Sequence, residues 1–149
     1  MSHVLDRPEP RQVPPREHPW WNRALALLNR DLAATLPQQG PLRLLAHPGH
    51  GTEYFYVAMA DGEWHGNYLL PDTADDPEAA LAAVADAAQE TVTECLSRAW
   101  PVCAAHDRGM HPRDADGHLS WWCAGERPGG GSAHVVAAVG VLDTVADRG

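Results

Sequence analysis

The sequence predicts an α+β domain: an N-terminal helix, a three-stranded antiparallel meander, a long helix and a C-terminal β-hairpin clipped by zinc. Three observations predict it. Apolar residues recur at helical spacing in two separate stretches, 21–36 and 81–99. Between and after them lie short runs rich in β-branched and aromatic residues, broken by Asp-Gly turns at 61–62 and 116–117. In the last third, Cys103, His106, Cys123 and His134 supply the number and kind of ligands that a tetrahedral Zn²⁺ takes.

Residues 1–17 carry Pro8, Pro10, Pro14 and Pro15 among charges and little to bury, so they read as a flexible, partly extended arm. A single domain is expected over 18–143, with 101–143 as its metal-bound subregion and 144–149 as a frayed tail. Its first helix shows Trp21, Leu25, Leu28, Leu32 and Leu36 as one stripe, and Pro37 stops it. The meander is expected from 42–46, 53–60 and 63–70. A two-residue turn at Asp61-Gly62 would set His65 opposite Ala58. Asp76-Pro77 offers an N-cap followed by a proline at the first helical position. The stripe Leu81, Val84, Ala88, Val92, Cys95, Leu96 and Ala99 then carries the long helix to Trp100, and it gives Cys95 a core role. Beyond Pro101 come the loop 103–109, a hairpin around Asp116-Gly117, the strand 119–124, a glycine-rich loop and the strand 134–142.

Composition excludes several classes. The chain has 149 residues, 44% of them hydrophobic, which suits one globular domain. Its net charge of −9 and the absence of any basic stripe argue against nucleic acid, whose phosphates demand clustered cations. The start has no apolar core of a secretory signal, and the longest uncharged apolar run falls well short of the roughly 20 residues of a membrane span. Three cysteines cannot all pair. A reducing, cytoplasmic setting is therefore expected, with thiols available to metal.

Cys103-Ala-Ala-His106 places two ligands three residues apart just after a helix stop, as zinc knuckles do. If the strands around the glycine-rich loop pair, Cys123 and His134 meet at the hairpin mouth. A metal there would tie that hairpin to the exit of the long helix. His111 and His118 lie in the same hairpin and are the natural substitutes. The competing reading makes both cysteines small buried hydrophobes and both histidines hydrogen-bonding residues. Four protein ligands leave no open coordination position, which points to structure rather than catalysis. A catalytic zinc would keep three and use Glu126 or Asp107 as base, but neither HExxH nor the zinc-deaminase pattern accompanies them.

Other constellations carry less. His47 and His50 sit on a Gly-rich turn, His47-Pro48-Gly49-His50-Gly51, that lacks the lysine and spacing of a phosphate loop. The acids of 72–78 open a helix, and no calcium loop contains them. No serine has a nucleophile-elbow context. Six tryptophans include the doublets Trp20-Trp21 and Trp121-Trp122, in which one ring can pack inward and the other can serve an interface.

The segments Trp100-Pro101-Val102-Cys103-Ala-Ala-His106, Trp121-Trp122-Cys123 and 134–142 resemble a family of small uncharacterised proteins from high-GC actinobacteria. That family combines W-P-x-C-x-x-H, W-x-C and a final histidine. The resemblance covers roughly 40–142 and departs from the commoner wording at Ala104, where a proline would stiffen the loop. It implies metal binding and no activity. The functional expectation is a non-enzymatic module that binds another protein and carries zinc as a structural element. One alternative is a small-molecule enzyme or binding protein with a pocket between meander and long helix, lined by Trp64, His65 or Tyr68. The other is a redox sensor in which oxidation of Cys103 and Cys123 ejects the metal.

Overall fold

The computed structural model describes residues 9–125 and 132–146. The fold is α+β, as the sequence predicts. Helix α1 (Pro19–Thr35) buries Trp21, Leu25, Leu28 and Leu32, four of the five stripe residues that fall within it or at its end. Leu36 is buried just beyond, as the C-cap residue. Helix α2 (Pro77–Leu96) starts where its capping signal places it, with Asp76 accepting from the Ala79 amide. It ends one turn early, because Ser97 adopts the left-handed conformation and leaves Ala99 exposed. The face that α2 buries centres on Ala80, Val84, Ala88, Thr91 and Val92. These small residues let α1 approach closely, and the two helices pack on each other in one continuous core.

Strands β2 (Arg43–Pro48) and β3 (Glu53–Ala58) pair antiparallel from Arg43 opposite Ala58 to Pro48 opposite Glu53. The third strand of this sheet differs from the expected 63–70. It is β1 (Arg11–Gln12), antiparallel to β2, with Arg11 opposite Ala46. One local cause and one distant one displace 63–70. The turn closes over three residues instead of two, since Gly62 N–H donates to Met59 and Met59 N–H to Glu63, with Gly62 at φ 94°. Thr91 Oγ1 then accepts from the His65 N–H at 3.2 Å, while its single proton faces the Val57 carbonyl at 2.9 Å and the His65 carbonyl at 3.1 Å. One backbone bond back to β3 remains, from Leu69 N–H to the Phe55 carbonyl.

The arm also differs from expectation. Val13 is only 1% exposed and bonds the Leu44 carbonyl, while Arg11 bridges Glu17 and Glu53. A single apolar residue in a proline-rich stretch thus finds a slot beside the sheet. Residues 1–8 lie outside the described residues.

Pairs β4 (Val102–Cys103) with β5 (Arg108–Gly109), and β6 (His111–Ala115) with β7 (His118–Cys123) and β8 (His134–Ala138), form the C-terminal part. The Asp116-Gly117 hairpin closes with two residues, both at positive φ as a type I′ turn requires. Past β8 the chain turns into a short helix, α3 (Leu142–Ala146), which replaces the end of the expected strand and the start of the expected tail.

Asp31, buried in the middle of α1, joins these layers. Its carboxylate accepts from the Trp121 indole at 2.8 Å and from the Gly140 and Leu142 amides at 2.7 and 3.0 Å. Burial pushes its carboxyl above the usual carboxylate range, against the pull of those three donors. The other buried indoles are also satisfied: Trp21 donates to Thr73 and Trp100 to Thr35.

Candidate metal centre

The site begins at the β4–β5 hairpin. Cys103 closes β4, and four residues later Asp107 N–H donates back to the Cys103 carbonyl at 2.7 Å. Asp107 takes φ 54°, which lets so short a loop reverse. The reversal carries the His106 imidazole back over Cys103, with Nδ1 3.7 Å from Sγ. The base of the hairpin is held by α2, whose Gln89 amide donates to the Trp100 and Met110 carbonyls. The long helix therefore positions the first two candidate ligands.

Strand alternation positions the third. Trp121 and Cys123 face inward on β7 while Trp122 faces outward, its ring stacked under Arg113 at 3.9 Å. Cys123 Sγ lies 3.5 Å from the same His106 Nδ1. The fourth depends on a slip in the sheet. Trp121 pairs with Ala137 but Trp122 with Val135, so Val136 bulges from β8 and Cys123 stands opposite His134. In unbroken register Cys123 would face Val135, and His134 would project from the other face. With the slip, His134 Nε2 reaches 3.7 Å from Cys103 Sγ, and its ring lies 5.2 Å from that of His106.

The surroundings orient these groups. The Ser132 carbonyl, 3.3 Å from His134 Nδ1, can only accept; Nδ1 carries the proton and Nε2 presents its lone pair. Gly125 N–H donates to Cys123 Sγ at 3.3 Å. Only glycine fits there: φ is 83°, and a Cβ would come within 2.7 Å of the Ser132 backbone.

Cys103, His106 and Cys123 offer ligand atoms that all lie within 4.8 Å of one another, a group that could hold a metal ion. His134 does not fall within this group; its Nε2 approaches Cys103 Sγ alone. The substitutes do not enter. His111 pairs with Trp122 and so shares the outward face, and His118 stands at the turn, five residues or about 17 Å along β7 from Cys123. Asp107 is exposed, and Glu126 lies outside the described residues.

A second candidate group joins Glu63, His65 and Cys95, again within 4.8 Å. Cys95 does pack against the core edge, as its stripe position implies, but its sulfur meets these two side chains from the turn. Burial, and then the Glu63, Asp61 and Glu94 carboxylates, push its thiol up.

The expected pocket between sheet and helix takes a different form. A groove between residues 67–73 and α2 is lined by Tyr68, Leu70, Asp86 and Glu90. Tyr68 is its one member of the expected trio. Trp64 instead packs on His47 and Tyr56, at ring separations of 4.3 and 4.7 Å. His47 Nε2 is buried there with no partner among the described residues, and burial lowers its pKa below 6.5.

Comparison of the chain with protein-family models, with curated proteins and with solved structures yields no match.

Proposed function

We propose that Cys103, His106, Cys123 and His134 hold a structural Zn²⁺, and that the protein is a non-enzymatic module built to bind another protein. One observation carries the metal reading. A tetrahedral zinc with Zn–S of about 2.3 Å and Zn–N of about 2.05 Å sets neighbouring sulfur and nitrogen about 3.6 Å apart. Three of the four sulfur–nitrogen separations in such a set are 3.7, 3.7 and 3.5 Å, and Cys123 with His134 makes the pair that does not come as close. Isolated thiol–imidazole hydrogen bonds would explain one such contact. They give no reason for one nitrogen to lie between two sulfurs while one of those sulfurs lies between two nitrogens.

Burial supports structure over redox sensing. Cys103 and Cys123 are 3% and 0% exposed, whereas sensor thiols need solvent access. Four protein ligands would also close the shell to substrate. The free state of all three cysteines fits a reducing, cytoplasmic location. No helix among the described residues is long and apolar enough to cross a membrane.

The partner reading rests on Tyr68, Leu70 and Val135, large apolar side chains left 40%, 58% and 46% exposed, with Tyr54 and Tyr56 beside Tyr68. Replacing zinc by cobalt tests the metal. The visible spectrum should show tetrahedral, thiolate-bound Co²⁺, and an octahedral spectrum would overturn the reading. Thermal stabilisation by a metabolite, lost on mutation of Asp86 or Glu90, would favour a small-molecule function for the groove instead.

A further inference from the structure

We propose that Glu63, His65 and Cys95 form a second site, independent of the Cys2His2 clamp, that takes one late first-row divalent cation of the zinc type and completes its shell with water. The three ligands come from two elements whose backbones are already fixed. Glu63 follows the Asp61-Gly62 turn, and its carbonyl accepts from Met59 N–H at 2.8 Å. His65 N–H donates to Thr91 Oγ1, which is itself buried and whose proton faces the Val57 carbonyl of β3 at 2.9 Å and the His65 carbonyl at 3.1 Å. Cys95 lies one helical turn beyond Thr91 on the same face of α2. The residue that pins the His65 backbone thus also sets it over the cysteine, and little ordering remains to be done when an ion binds.

The chemistry of the set selects the ion. Thiolate, imidazole and carboxylate together suit a borderline cation such as Zn²⁺ or Co²⁺ and not the all-oxygen preference of Ca²⁺ or Mg²⁺. An ion pair between His65 and Glu63 would account for their 4.0 Å separation, but it gives no part to the sulfur. The Asp61 and Glu94 carboxylates add to the negative field at Cys95. That field opposes a bare thiolate and favours a cation placed among them. Glu63 and His65 side chains are 57% and 46% exposed, so the outer side of the site opens to solvent. Three ligands and an open position make an exchangeable site, unlike the closed clamp.

The test is a Co²⁺ titration of the intact protein as purified, followed by sulfur-to-cobalt charge-transfer absorption. The parent should bind one equivalent more than Cys95→Ser, and that equivalent should carry its own charge-transfer band. His65→Ala and Glu63→Gln, both at exposed side chains, should bind it about tenfold or more weakly. Equal stoichiometry in parent and Cys95→Ser, or unchanged affinity in both exposed-site variants, would overturn the proposal. The readout is a difference at Cys95, so it decides this site whether or not the clamp holds zinc.

Discussion

Asp31 shows how much one side chain can hold in this molecule. Three donors from β7, from the turn after β8 and from the start of α3 meet on its two oxygens, and the buried carboxylate caps a helix as it does so. Asp31→Asn keeps the shape but points an amide at one of those donors. It should lower stability by about 1–3 kcal/mol in urea unfolding. His47 permits a second prediction. Its folded pKa is depressed, so its contribution to stability is present above the ordinary histidine value and is lost as pH falls through the depressed one. Thermal melts stepped downward from pH 7 should show this loss in the parent and not in His47→Phe. Neither residue was legible beforehand. Asp31 looks like an ordinary polar position of an amphipathic helix, and only the folded partners reveal it as a buried acceptor. The grouping of Cys103, His106 and Cys123 was legible because cysteines are few here and the chemistry they share with histidine is narrow.

The elements were read best where the signal is local. Asp76-Pro77 opens α2, Pro37 closely follows α1, and Asp116-Gly117 turns the hairpin, each by chemistry confined to a few residues. The misreadings lie where a distant partner decides. Strand β1 forms because Val13 fits against β2, and 63–70 leaves the sheet because Thr91 takes the His65 backbone. Val13→Ala should therefore cost about 2 kcal/mol, a core penalty that a free arm would not show. The slip at Val136 was equally hidden, since no residue type marks it. Deleting Val136 removes that extra residue, so pairing should run unbroken with His134 still opposite Cys123, and zinc affinity in a chelator competition should stay within about tenfold of the parent. A larger loss would mean that the bulge itself, and not the Cys123–His134 pairing, aims His134.

At the scale of the whole molecule, α1 and α2 make a core that both three-stranded sheets contact, and the proposed clamp lies where the C-terminal sheet meets the exit of α2. Structural zinc is worth about 10–16 kcal/mol where it alone drives folding, and less in a domain with its own core. Chelation should accordingly leave the α1–α2 core protected and raise amide exchange across β4, β5, β7 and β8. The most direct test of the clamp is zinc content after dialysis of protein purified without added metal. The parent and Cys95→Ser should each retain one zinc per chain, and Cys123→Ser should retain almost none. A folded parent without zinc, or Cys123→Ser holding as much as the parent, would contradict the account.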